Sequence, residues 1–180
     1  MIIRWLAGLA LAATLLATGL PAQAQTEPDY QTMSVEELIA AAPELHPAAL
    51  YILAARLMGA GDGYAAAQWM YAGQLRYRFL LATQGDDQPY SDDRILFSAL
   101  SESVGRPINE YIGGDVDEWI AVIAWALDWD AKTDNLFLSK TEHAAALQEV
   151  RAGLAALRAD IESQRDDIPR IREENGLENR

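Results

Sequence analysis

The chain has 180 residues, 14 Lys and Arg against 27 Asp and Glu, a formal net charge of −13 at pH 7, and no cysteine. That balance excludes ordinary nucleic-acid binding, which needs a basic footprint to displace counterions from phosphates, and it disfavours an anionic lipid surface for the same electrostatic reason. Without cysteine there is neither a disulfide nor a thiol for a lipid anchor, so stability has to come from burial, for which the length suffices in a single domain.

The opening residues read as an export signal. Arg4 supplies the basic start, residues 5–20 are uncharged, and Ala22-Gln23-Ala24 places small residues where signal peptidase needs them. The uncharged run is short of the roughly 20 residues that cross a bilayer core, so cleavage after Ala24 is expected in place of a permanent anchor. Losing Arg4 takes the basic residues from 14 to 13 against 27 acids, a net charge of −14 for the processed chain. A periplasmic or secreted protein follows, with a helical domain over residues 25–168, a loose charged tail over 169–180, and no stable membrane insertion.

The first helix is announced by the capping box Ser34-Val35-Glu36-Glu37 and stops near Ala42, ahead of Pro43. Pro47 opens a second helix with the stripe Leu50, Leu53, Ala54 and Leu57, broken at residues 59–63 by three glycines. A third runs from Tyr64 to about Thr83 and folds back on the second as a tight antiparallel hairpin. Residues 85–90 have the composition of a polar loop, after which Ser91 or Asp92 caps a fourth helix reaching Gly105. Residues 106–114 read as a connector with one helical turn around Asn109 to Ile112. A fifth helix, capped at Asp115 and running to about Asp130, is apolar nearly all round, which predicts a central place in the bundle. The last and longest is marked by Ser139-Lys140-Thr141-Glu142, with Leu147, Val150, Leu154, Leu157 and Ile161 alternating spacings of three and four, a narrow seam expected to pack along its own domain. No segment alternates with period two, so the expected class is all-α, a small bundle of about five to six helices.

The segment containing Ala49-Leu50, Leu53-Ala54, Leu57, Gly61, Ala65-Ala66, Trp69, Tyr71-Ala72 and Leu75 resembles the Sel1-like and tetratricopeptide helical hairpins over about forty residues. The resemblance implies a protein-binding surface. No second copy follows at a fixed period, so later helices must cover the hairpin's open face. The strings at residues 71–76 and 105–111, with Trp119 and Trp129-Asp130, are also similar to uncharacterised exported bacterial proteins, a likeness that implies no activity.

Candidate functional residues are few. On the third helix Arg76 shares an arc with Trp69, Ala72, Phe79 and Leu80, so its permanent charge needs a carboxylate. Asp128 and Asp130 are the candidates, because they lie near a helix C-terminus where the macrodipole repels them. The expected role is a structural ion pair; the rival is an anion-recognising arginine, which Arg76→Met would separate by losing binding without losing the fold. Asp115, Asp117, Asp128 and Asp130 lack the compact spacing of a calcium loop, so no metal is expected, and no cofactor motif is present. Trp125 or Trp129 would be the anchor if an aromatic protrudes towards a partner, and Asp86-Asp87 the point of an acidic loop.

Enzymatic signals are poor. His46 and His143 are the two histidines, and no nucleophile-elbow, zinc-protease or phosphate-loop string occurs. No catalytic residue is assigned. The favoured expectation is a non-enzymatic helical adaptor that binds another protein, with the acidic surface favouring a basic partner. The alternatives are an acidic inhibitor or immunity-type protein using Asp86-Asp87 or Asp92-Asp93 against a basic envelope hydrolase, and a carboxylate-dependent hydrolase with two facing acids.

Overall fold

The structure, a computed structural model, describes residues 29–84 and 92–180. The export signal expected over residues 1–24, the polar loop with Asp86 and Asp87, and Ser91 lie outside the described residues. Within them every regular element is helical, and the protein is an all-α bundle. None of the described helices is long and apolar enough to cross a membrane.

Helix α1 (Val35–Ala41) begins at the expected capping box: Ser34 Oγ accepts from the Glu37 N–H, and the Glu37 carboxylate accepts from the Ser34 N–H at 2.7 Å. Helix α2 (Pro47–Gly59) starts with proline in the first turn, and its cap is His46, whose Nδ1 accepts from the Ala48 N–H at 3.1 Å. It ends in a Schellman motif: Gly61 takes the left-handed φ of +87° while Asp62 N–H reaches Leu57 O and Gly61 N–H reaches Met58 O. Asp62 then caps helix α3 (Gly63–Thr83) through the Ala65 N–H at 3.0 Å. The two helices run antiparallel and close together at Gly73, where a Cβ would stand 3.0 Å from Leu50 Cβ and 3.2 Å from the Tyr51 ring.

Centrality belongs to α3 and not, as the fifth-helix pattern suggests, to the helix carrying the tryptophans. Residues on every side of α3 are buried, among them Ala67, Met70, Gly73, Leu75, Tyr77 and Phe79. It packs on the hairpin partner, on α4 (Asp92–Leu100), α5 (Arg106–Ile112), α6 (Val116–Lys132) and α7 (Ala144–Ser163). Helix α6 buries Val122, Ile123 and Ala126 fully, but Trp119, Trp125 and Trp129 only in part. Its wide apolar arc is shared between α3 and α7, with Trp125 and Trp129 meeting Trp69 of α3.

Three boundaries differ from expectation. Residues 106–112 are not a connector with a single turn: α4 passes through a π-helical turn (Ser101–Gly105), with the Arg106 N–H donating to Ser101 O, and continues directly as α5. Pro107 lacks an N–H and presses on the preceding turn; widening that turn to a π register accommodates it and lets the helical path go on. The last long helix starts at Ala144, because residues 140–143 form a turn although Ser139 Oγ accepts from the Glu142 N–H as a cap would. The stretch over 169–180 is folded in place of a loose tail. Helix α8 (Ile168–Glu174) is followed by a strap in which the Arg180 N–H reaches Gly114 O at 2.8 Å, its guanidinium stacks 3.9 Å from the Tyr111 ring centre, and it pairs with Glu118. Composition marks this stretch as polar, but its arginines find carbonyls and carboxylates on α5 and α6.

Candidate functional site

Four features bring polar or aromatic groups together. The first is the buried carboxylate of Asp130, which is 0% exposed and faces Arg76 at 1%. Asp130 lies on the α6 stripe with Ile123 and Ala126, spaced by three and four, so it points inward. Asp128, two residues earlier, points out and pairs with Lys132 at 2.7 Å. Of the two acids considered for Arg76, the structure therefore brings Asp130 to it, with Nε 3.6 Å from Oδ1. The arginine fork is otherwise spent on carbonyls, Nη1 on Ala42 at 2.9 Å and Nη2 on Asp134 at 2.8 Å. Two further cations reach the same carboxylate: Arg151 of α7 donates through Nε at 2.8 Å, and Lys140 Nζ stands at 3.2 Å. Burial lowers Arg76 to about 10 and also pulls Lys140 down, with Asp130 opposing both shifts. Arg76 is still charged at neutral pH. The hub thus joins the end of α1, α3, α6, the 133–143 segment and α7.

Beside the hub, Arg76 lies 4.3 Å from the Trp129 ring centre, Trp129 stacks on Trp125, and Trp69 meets both edge-on at 5.2 and 5.3 Å. Trp125 and Trp129 are half-buried members of this cluster and do not protrude as anchors. Across the bundle, Trp119 Nε1 donates to Tyr71 Oη at 2.6 Å, and Tyr71 donates to Asn109 at 2.7 Å, tying α6, α3 and α5.

Third is a His46–Asp93 contact, Nε2 to Oδ1 at 3.0 Å, with the Gln84 amide on the other carboxylate oxygen at 2.5 Å. It looks like part of a catalytic dyad but cannot act as one. A general base needs a free ring nitrogen facing the nucleophile, and here Nδ1 is taken by the Ala48 N–H and Nε2 by Asp93. His46 is a helix cap. Burial pushes Tyr51 and Tyr71 from 10.0 to about 12, and it raises Tyr77, which lies near Asp93, as well. A phenol whose folded pKa exceeds its unfolded value contributes stability below the unfolded value and loses it as pH rises through the folded one. Phenolate absorbance of Tyr51 and Tyr71 should therefore appear between about pH 10 and 12 together with loss of helical circular dichroism. Ionisation of all tyrosines near pH 10 with the helices intact would contradict the packing described.

Fourth is an open groove of about 610 Å³ between α3, α4 and α7. Its apolar lining includes Leu75, Leu81, Phe97, Val150, Leu154 and Leu157. The α7 seam explains how it arises. Leu147, Leu154 and Ile161 are buried against the domain, whereas Val150 is half-buried and Leu157 is 37% exposed, so the seam is covered along one edge only. On the facing wall α4 contributes Arg94 and Phe97, and it buries none of its residues. Charged groups at the groove are Arg78, Arg94 and Glu149. Arg94 is engaged within the protein. Arg78 is exposed, lies 5.8 Å from the Phe97 ring centre, and forms no ion pair among the described residues.

Gly153 lines this groove, and a Cβ there would meet nothing within 4 Å. An interior helical glycine costs about 0.5–1 kcal/mol relative to alanine, and no packing among the described residues requires this one. Gly153→Ala should raise the unfolding temperature by about 1–4 °C for a chain of this size, read by thermal circular dichroism.

The remaining candidates are individually engaged. Asp115 caps α6 through the Glu118 N–H at 3.0 Å, and Asp117 pairs with Arg165. Among the described residues no three His, Asp or Glu side chains converge as a metal site. His143 caps α7 only by position, its ring 6.3 Å from that of Phe79. The groove is not legible in the sequence because three separate helices line it, and the α7 seam shows as half-used only once its burial is known. No family model matches the chain, and no curated protein or solved structure gives a match either.

Proposed function

We propose that this chain is an exported, non-enzymatic adaptor that binds another protein through the face shared by α3, α4 and α7. The observation that carries the reading is the one-sided seam of α7: Val150 and Leu157 border an open apolar groove that the described helices leave uncovered. Exposed apolar surface with a polar rim is the ordinary mark of an interaction site. Export rests on the basic, apolar and small-residue segments of residues 1–24. Among the groove-lining residues Glu149 is the single carboxylate, so paired-acid hydrolysis finds no second acid there. The inhibitor reading leans on Asp86 and Asp87, outside the described residues, and on Asp93, which His46 and Gln84 already occupy.

The test is retention from envelope extract on the immobilised purified protein, run beside Leu157→Asp. Because Leu157 is partly exposed, the variant should keep its circular dichroism. The adaptor reading expects one partner at equimolar stoichiometry that the variant fails to hold. Turnover of an envelope polymer by the purified protein, with no partner retained, would refute it.

A further inference from the structure

The corner between α5 and α6 holds an arginine in a site shaped for one. The Tyr111 ring lies against Gly63, where a Cβ would overlap it, so the ring is fixed as a platform at the start of α3. The guanidinium of Arg180 lies 3.9 Å from the centre of that ring. Its Nε donates to Tyr111 O at 3.1 Å, its Nη1 to Tyr111 Oη at 3.0 Å, and its Nη2 to the Glu118 carboxylate. The stem passes over Gly114, where a Cβ would stand 3.1 Å from Arg180 Cγ, and the Arg180 N–H donates to Gly114 O at 2.8 Å. An aromatic face, acceptors matched to a planar fork and a carboxylate together favour guanidinium over ammonium.

The strap that delivers this arginine is lightly attached. Residues 173–178 are exposed, and of the α8 isoleucines only Ile168 packs on the core. Polar groups do the fastening, with Arg172 donating to Glu110 O at 2.9 Å and to Glu178 O at 2.7 Å. The Arg180 and Glu118 side chains are themselves 31% and 36% exposed, and partly exposed pairs contribute little to stability. The strap can therefore lift while the core stays packed.

We propose that the α5–α6 corner is a binding site for an arginine side chain of a partner protein, and that Arg180 fills it as a displaceable stand-in. Lifting Arg180 away takes from Glu118 the cation it holds in the structure, and an incoming arginine restores it, so the exchange is close to balanced. A net charge of −13 draws such a cationic segment towards the protein. The corner is remote from the α3–α4–α7 groove, because Tyr111 rests on Gly63 at the start of α3 whereas the groove is lined by residues 74–82 of that helix. The proposal does not depend on what the groove binds.

The probe is the acetylated peptide Asn-Gly-Leu-Glu-Asn-Arg, the sequence of residues 175–180, beside a counterpart ending in Lys. Both are titrated by calorimetry into the purified protein and into Arg180→Ala, whose helices are checked by circular dichroism. A tethered segment competes at an effective concentration of about 1 mM, so a peptide that binds the vacant corner at about 0.1 mM should bind Arg180→Ala about tenfold tighter than the wild type. The Lys peptide should bind Arg180→Ala more weakly than the Arg peptide, and adding Glu118→Gln to that variant should weaken the Arg peptide. Equal affinity of wild type and Arg180→Ala, equal binding of the two peptides, or no effect of Glu118→Gln overturns the proposal. So does the absence of binding to either protein. Loss of helix in Arg180→Ala also overturns it, since the arginine would then be a fastening of the fold and not a stand-in.

Discussion

Asp130→Asn is expected to lower the unfolding free energy by about 3–5 kcal/mol, the cost of leaving a buried charge unpaired. Three cations, Arg76, Lys140 and Arg151, converge on this one carboxylate. Without its charge, Arg76 is left buried against Trp129 with two like charges nearby and nowhere to relocate, since its fork is held by Ala42 O and Asp134 O. The reciprocal change is milder. Arg76→Met leaves Asp130 with Lys140 and Arg151, fills the space of the arginine stem, and strips a donor from each of two carbonyls, at about 1–3 kcal/mol in total. The asymmetry is the point of the experiment, and urea unfolding followed by tryptophan fluorescence reads it directly because Trp129 stacks on the guanidinium. Equal losses from the two variants would mean that Asp130 serves Arg76 alone. A fully stable Arg76→Met that no longer bound its partner would transfer Arg76 from structure to recognition.

Gly73→Leu is expected to separate the central hairpin, with a loss of about 1–3 kcal/mol or more from overpacking. The virtual Cβ already lies 3.0 Å from Leu50 Cβ, a contact to an atom beside the backbone that cannot swing away. Any side chain beyond Cβ must therefore push α2 off α3. Gly73→Ala is a graded control: the gain of about 1 kcal/mol in helix propensity opposes the crowding, so its net change should be small. Amide exchange resolved by segment should show residues 47–59 losing protection first in Gly73→Leu. Unchanged protection there would mean that the two helices tolerate a wider spacing than the structure gives them.

Most of the architecture was legible because its signals are local. The Ser34 box, the Asp115 cap and the Gly61 break each satisfy backbone groups within a few residues, and each sits where the pattern put it. What was misread needed partners distant in the chain. Pro107 is a breaker by local rules, yet the π turn before it absorbs the clash. Residues 169–180 look solvated by composition, yet Arg172 and Arg180 dock on carbonyls of Glu110 and Tyr111. The hub was partly readable. An arginine on an apolar arc asks for an acid, and the spacing of Ile123, Ala126 and Asp130 would have chosen Asp130 over Asp128. The same argument applied to Leu147, Arg151 and Leu154, spaced by four and three, would have placed Arg151 inward as well. Lys140 carried no such pattern, because it acts from a turn. The groove was the least accessible, since its walls come from three helices and only the unequal burial of the α7 seam betrays it.

The most direct test of the account is the nuclear magnetic resonance footprint, on the isotope-labelled protein, of the partner retained from envelope extract. Shifts should concentrate on the Gly153 amide, the methyls of Leu75, Val150, Leu154 and Leu157, and the Arg78 side chain. A footprint centred on Trp125 and Trp129, with the α3–α4–α7 face unmoved, would contradict it.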